Sequence, residues 1–227
     1  MKLAPLLLLV CSAVAVAQTA KKQVSMSESL SATSERKGAW DFAVWGGGGH
    51  TVSGGVQGVG IANAGFRAGK ILTAQHGSGW YRGNLEYAVD LIPVTILTGV
   101  PDRPNPAVLC LITMPNCNRH TSNVYGAGFN PFIVKWNFTA GRRISPYFEL
   151  GGGLLFTNKD IPFGSSSVNF TPQATLGVNL FTRGWQAISF DLHYEHISNA
   201  GLASPNPGFN TVQGRIGYHW FSLVRTH

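Results

Sequence analysis

The feature that most constrains this chain is a strict apolar–polar alternation that carries charged residues on its polar side. Over residues 80–91, one side holds tyrosine, leucine and valine, and the other holds arginine, asparagine, glutamate and aspartate. A period of two predicts a β-strand. The core of a β-sandwich cannot accept Arg82, Glu86 and Asp90, whereas the polar interior of a membrane barrel can, because opposite charges pair across its lumen.

Seven further segments show extended or alternating patterns, so the sequence predicts eight strands, several of them about the ten residues that cross a bilayer. Their turns are short after the fourth and sixth strands and longer after the third, fifth and seventh, as in barrels with periplasmic turns and extracellular loops. The predicted fold class is all-β, an eight-stranded antiparallel outer-membrane β-barrel over residues 38–222. The predicted strands are 39–47, 58–72, 80–91, 125–138, 146–156, 167–181, one from Trp185 through His196, and 210–221. The stretch GGGGHTVSGG is predicted to be a loop.

Composition and the chain start agree with export and a β fold. Of 227 residues 28 are glycine, aromatic residues make up 11% and charged residues only 12%, which is unusual for a soluble helical protein. The net charge of +7 is scattered along the chain, which favours anionic headgroups over nucleic acid as a partner. Residues 1–17 read as a signal peptide and residues 18–37 as a flexible polar leader.

Two cysteines remain after the signal peptide, Cys110 and Cys117, both in the long loop predicted after the third strand. In an exported protein this spacing predicts a local disulfide rather than a metal or redox site. The sequence indicates no metal and no cofactor.

The predicted seventh strand places a possible nucleophile and base on its apolar side. His196 and Ser198 are two apart, so their Cβ atoms lie roughly 6 to 7 Å apart on one face, together with Phe190 and Leu192. That face meets lipid, near the extracellular end. Ser198 could attack an ester with His196 as general base, and Asn210, on the same face of the eighth strand, could orient the imidazole. The alternative is that the pair merely decorates the membrane interface.

The turn after this strand contains side-chain and backbone donors, in the sequences SNA and PNPG that end at Gly208, from which an oxyanion hole could form. The segment HISNAGLASPNPG, from His196 to Gly208, resembles the lipid A 3-O-deacylase (PagL) family. The resemblance implies Ser198 as nucleophile, His196 as base, Asn199 as a supporting residue and Asn206 in the oxyanion environment. It also implies an acidic third member where this chain has Asn210, so Asn210→Glu is expected to raise activity.

The sequence therefore predicts a serine esterase acting on lipid A in the outer membrane, and two other functions stay open. One is a non-enzymatic outer-membrane barrel, structural or adhesin-like, with an impaired dyad. The other is a soluble exported barrel that binds an apolar ligand, as lipocalins do. The expected partners are lipopolysaccharide and membrane lipid, with a homodimer left open. An α/β-hydrolase is disfavoured because no GxSxG elbow is present.

Overall fold

The structure is a computed structural model that describes residues 35–102, 120–138, 143–204 and 206–222. The predicted signal peptide, most of the predicted leader and the pair Cys110 and Cys117 lie outside the described residues. In these ranges no helix has the length and apolar character needed to span a membrane.

Nine β-strands close into an antiparallel barrel. Each strand pairs with its neighbour along the wall, β9 pairs with β1, and β4 pairs with β5. The short β6 and the longer β7 both pair with β5 and are separated only by Thr171 and Pro172. Together they form one interrupted wall position, so the predicted eight-stranded barrel is confirmed. The strands are β1 Trp40–Thr51, β2 Gly60–Ile71, β3 Asn84–Pro101, β4 Thr121–Asn137, β5 Ile144–Thr157, β6 Val168–Phe170, β7 Gln173–Arg183, β8 Gln186–Ile197 and β9 Phe209–Phe221.

The wall separates an apolar exterior from a charged middle of the lumen. Large side chains such as Phe66, Leu150 and Leu192 are exposed on the outside. In the lumen, Arg67 binds both Asp90 and Glu149 across the barrel, and the buried Lys135 ammonium is 3.3 Å from a Glu86 carboxylate oxygen and 3.5 Å from one of Asp41. A charged interior of this kind is stable because each buried ion has a partner.

We call the end that holds the first and last strand termini the lower rim, and the end with the long loops the upper rim. At the upper rim the lumen is apolar, unlike the polar interior that the sequence predicts. Residues from six strands and two loops pack there and exclude water, which the alternation within single strands does not reveal. This cluster consists of Val59, Ile61, Leu97, Val100, Val124, Leu155, Ile161, Ile197 and Phe209.

Two local predictions were wrong. The predicted glycine-rich loop begins as strand, because β1 continues to Thr51 and its glycines pair with both β2 and β9. At Gly49 a β-carbon would collide with the carbonyl oxygen of Val212, so only glycine allows this close approach. Arg82 does not face the lumen: it follows a 3-10 turn, Gly79–Tyr81, and is exposed at the lower rim.

The last part of the predicted leader enters the lower mouth of the barrel. Glu35 is 1% exposed, and its carboxylate accepts a hydrogen bond of 2.9 Å from the Ser145 hydroxyl. The Asn84 amide donates to the backbone carbonyl of Glu35 at 2.6 Å. Burial raises the pKa of Glu35 to about 8, against the opposing charge of Lys135.

Candidate functional site

The upper end of β8 carries the predicted dyad on the outer side of the wall. Tyr194 is 42% exposed and His196 follows on the same side, whereas Glu195 and Ile197 are buried in the lumen. Ser198 continues the alternation just beyond the strand, and its backbone pairs with Phe170 of β6. On this side of the wall His196 is half-buried, whereas Ser198 is buried, with 9% of its surface exposed.

His196 and Ser198 both pack close to Gly208. A β-carbon at position 208 would lie 2.9 Å from His196 Cε1 and 3.4 Å from Ser198 Cβ, and Gly208 has a φ of +64°. Both facts favour glycine there. Among the described residues no hydrogen bond joins the Ser198 hydroxyl to His196. A loose nucleophile–base contact is common before a substrate binds.

Asn210 links His196 to the loop between β1 and β2. Its Oδ1 is 2.6 Å from His196 Nδ1 and accepts a hydrogen bond of 3.1 Å from the Tyr194 hydroxyl. Its Nδ2 donates to the backbone carbonyls of Ser53, at 3.1 Å, and of Gly54. Because carbonyl oxygens only accept hydrogen bonds, the Nδ2 end must face the loop and the Oδ1 end must face His196.

The loop after β8 is organised by Asn199, which is fully buried. Its Nδ2 donates to the Ser165 hydroxyl at 2.7 Å and to the Ala203 carbonyl at 2.9 Å, and its Oδ1 accepts from the Gly201 N–H. Its own N–H donates to Asn206 Oδ1 at 3.2 Å. The structure thus connects Asn199 and Asn206 directly and places Gly208 next to His196.

A second serine–histidine–acid set lies in the lumen near the lower rim. His219 Nδ1 is 2.9 Å from Asp41 Oδ1, and His219 Nε2 is 3.1 Å from the Ser189 hydroxyl. All three residues are at most 3% exposed, and Asp41 also pairs with Lys135. Because all three side chains are buried in the lumen, we interpret the set as a structural network that joins β1, β8 and β9.

A shallow groove of about 750 Å³ crosses the outer wall on β1, β7, β8 and β9. Gly46 and Gly214 form part of its floor, and apolar side chains such as Leu176, Leu192 and Ile216 border it. His196 and Ser198 are not in its lining. His196 lies closer to the upper rim, four residue pairs beyond Leu192 and Gly214 along the β8–β9 ladder, and Ser198 follows the end of that ladder.

Four groups that contribute to this site were not found by sequence reasoning. The loop carbonyls of Ser53 and Gly54, the Tyr194 hydroxyl and the Ser165 hydroxyl reach it from parts of the chain up to 157 residues away. Tyr194 could have been identified, since it lies two residues before His196 on the same strand face. The other contacts depend on loop conformations that no local pattern specifies.

Comparison with known proteins gives a family match. Residues 113–219 match the model of the lipid A 3-O-deacylase (PagL) family, which confirms the resemblance drawn from the His196–Gly208 segment. Comparison with curated protein sequences gives no match.

Solved structures share the fold. A crystal structure of the outer membrane enzyme PagL aligns with a TM-score of 0.50 and 19% identity, covering 77% of this chain and 97% of that one. The outer membrane protein OprG from Pseudomonas aeruginosa aligns with a TM-score of 0.50 and 9% identity, covering 83% of this chain and 98% of that one. At these identities the alignments establish the barrel fold alone.

Proposed function

We propose that this chain, which resembles the lipid A 3-O-deacylase family over residues 113–219, is an outer-membrane serine esterase that removes the ester-linked 3-O-acyl chain of lipid A. The Ser198 hydroxyl attacks the ester carbonyl while His196 Nε2 takes its proton. The sugar hydroxyl leaves with that proton, and water then releases the acyl chain from Ser198 as a fatty acid. In this orientation the lower rim is periplasmic and the upper rim lies in the lipid A leaflet.

The observation that carries the proposal is the fixed amide of Asn210. With Oδ1 held toward His196, the imidazole hydrogen belongs on Nδ1. The lone pair is then on Nε2, the nitrogen that a general base on the Ser198 side requires. An amide supports this tautomer as a carboxylate does, although it supplies no full charge to stabilise the imidazolium that forms.

The surrounding loop supports stabilisation of the developing oxyanion. The Asn199 N–H engages the oxygen of the Asn206 amide, which leaves Asn206 Nδ2 as a candidate donor to the substrate. Gly208 keeps a side chain from crowding His196 and Ser198, since a β-carbon there would lie only 2.9 Å from His196 Cε1. The apolar groove toward mid-membrane is suited to an acyl chain, because burying methylene groups there is favourable.

The test is mass spectrometry of lipid A after expression in a heterologous outer membrane with a 3-O-acylated lipid A. The wild-type chain should remove one hydroxyacyl chain, and Ser198→Ala should lower the rate at least ~100-fold, as expected when the nucleophile of a serine hydrolase is removed. His196→Ala should cause a comparable loss. Barrel folding is checked for each variant by its heat-dependent shift in gel migration.

Ser189→Ala is the matched control, since it removes the serine of the other serine–histidine–acid set. It should leave the activity unchanged, because Ser189 is buried in the lumen. A fluorophosphonate probe should likewise label the wild type and the Ser189→Ala variant but not Ser198→Ala. Activity that survives Ser198→Ala and disappears with Ser189→Ala would overturn the assignment.

A non-enzymatic outer-membrane barrel remains the second candidate function. It is favoured by the lack of a negative charge at position 210 to stabilise an imidazolium and by the absence of a hydrogen bond between Ser198 and His196 in the described structure. An unchanged lipid A profile with the folded wild-type protein, at any expression level that gives a detectable barrel, would select this alternative.

A further inference from the structure

The exposed charged residues at the lower rim are all positive, and we call them the basic collar. The acidic residues in the described part of this rim, Glu35, Asp41 and Glu86, are all buried in the lumen. At the upper rim, by contrast, exposed Lys159 is followed by exposed Asp160. The basic collar consists of six exposed residues, Arg36, Lys37, Lys70, Arg82, Arg143 and Arg183.

Tryptophans fix the depth of the basic collar. Of the six tryptophans of the chain, only Trp45 faces the lumen, where its ring is 4.8 Å from the Arg215 guanidinium carbon. Trp80 is 84% exposed, and Lys70 Nζ lies 4.9 Å from the centroid of the Trp40 ring. Tryptophan prefers the membrane–water interface. The five at the lower rim are Trp40, Trp80, Trp136, Trp185 and Trp220.

We propose that the basic collar binds the phosphodiester headgroups of anionic phospholipids. Its cations lie at the level of the tryptophans, which is the level of the headgroups. Arginine forms paired hydrogen bonds to phosphate oxygens, and lysine adds a mobile charge. The described part of the rim has no exposed carboxylate that would compete with lipid phosphates for these cations. The electrostatic field at this end therefore attracts anions. This proposal is independent of the deacylase activity, since none of these residues lies near Ser198.

The test uses the rim tryptophans as reporters of bound lipid. The full-length protein is folded into vesicles of phosphatidylcholine and phosphatidylglycerol in which one lipid or the other is brominated, so that contact quenches tryptophan fluorescence. Brominated phosphatidylglycerol should quench as if it were enriched about two- to threefold around the barrel. The enrichment should fall toward one at high salt, because exposed charges are screened there.

The variant that removes the preference combines Lys70→Gln, Arg82→Gln, Arg143→Gln and Arg183→Gln. Lys159→Gln, at the upper rim, is the control and should keep the wild-type preference. If the fourfold variant fails to shift on heating in gels, the pairs Lys70→Gln with Arg82→Gln and Arg143→Gln with Arg183→Gln are measured separately, each expected to lose part of the preference. Equal quenching by both lipids in the wild type, or a preference that survives neutralisation of the basic collar, would overturn the proposal.

Deacylase activity is followed in the same samples, so that the two proposals can fail separately. Loss of lipid preference with activity retained supports the basic collar as a lipid site, whatever the chemistry at the upper rim. Activity absent from the wild type with the lipid preference present would refute the esterase proposal alone.

Discussion

At the scale of single residues, Asn210 is the position where this chain departs most from the resemblance. The structure gives a reason for the amide that the sequence could not, because Nδ2 donates to the carbonyls of Ser53 and Gly54. An aspartate in its place would keep an acceptor toward His196 but would turn its second oxygen toward two acceptors. The sequence-based expectation that Asn210→Glu raises activity is therefore replaced by the expectation that a carboxylate at this position lowers it.

We predict that Asn210→Asp lowers deacylase activity several-fold and that Asn210→Ala lowers it further. The alanine variant loses the contact to His196 as well as the loop contacts, and each lost hydrogen bond of a polar pair costs about 1 kcal/mol. Rates are measured with lipid A in detergent micelles, and kcat is separated from KM, because misorientation of His196 affects kcat. Asn210→Asp activity above the wild-type level would show that the charge matters more than the loop contacts.

At the scale of elements, the lumen ion pairs connect strands that are not neighbours along the wall. Arg67 on β2 binds Asp90 on β3 and Glu149 on β5, and each side chain is at most 4% exposed. We predict that Arg67→Met destabilises the barrel by about 3–5 kcal/mol, because two buried carboxylates lose their counterion. The free energy of unfolding is measured by urea titration in lipid vesicles.

Arg82→Met is the control for this measurement, since Arg82 is exposed outside the lumen. Its effect should stay within about 0.5 kcal/mol, as for most surface substitutions. If Arg67→Met lowered the free energy of unfolding no more than Arg82→Met does, the wall hydrogen bonds, and not the lumen ion pairs, would determine stability.

The elements also show how far the sequence could predict the structure. Alternation identified the strands around Glu86, Thr175 and His193 and the side on which His196 lies, because a single strand face records its own surroundings. It missed the continuation of β1 over residues 48–51, since glycine has no side chain with which to show a face. It also missed the partners of Asn210 and Asn199, because those contacts depend on the path of loops between strands.

At the scale of the whole molecule, the lower mouth of the barrel holds one group whose ionisation depends on folding. Burial raises the pKa of Glu35 from an ordinary value of 4.5 to about 8. Below pH 4.5 the carboxyl is protonated in both the folded and the unfolded chain. Between pH 4.5 and 8 the unfolded chain loses this proton and the folded barrel keeps it, so the free energy of unfolding falls as the pH rises.

We predict that the free energy of unfolding of the wild type falls, relative to that of Glu35→Gln, by on the order of a few kcal/mol between pH 4.5 and pH 8. The measurement is urea unfolding of both proteins at several pH values, which cancels the ionisable groups that do not interact with Glu35. Lys135, Glu86 and Asp41 do interact with it, so their response to its charge is part of the measured difference. This loss of stability cannot exceed the free energy needed to withdraw residue 35 from the mouth. Local opening exposes the charged carboxylate to water without unfolding the barrel. A smaller shift accompanied by faster amide exchange at Glu35 would identify that opening, whereas parallel pH profiles would show that Glu35 is not buried in the folded protein.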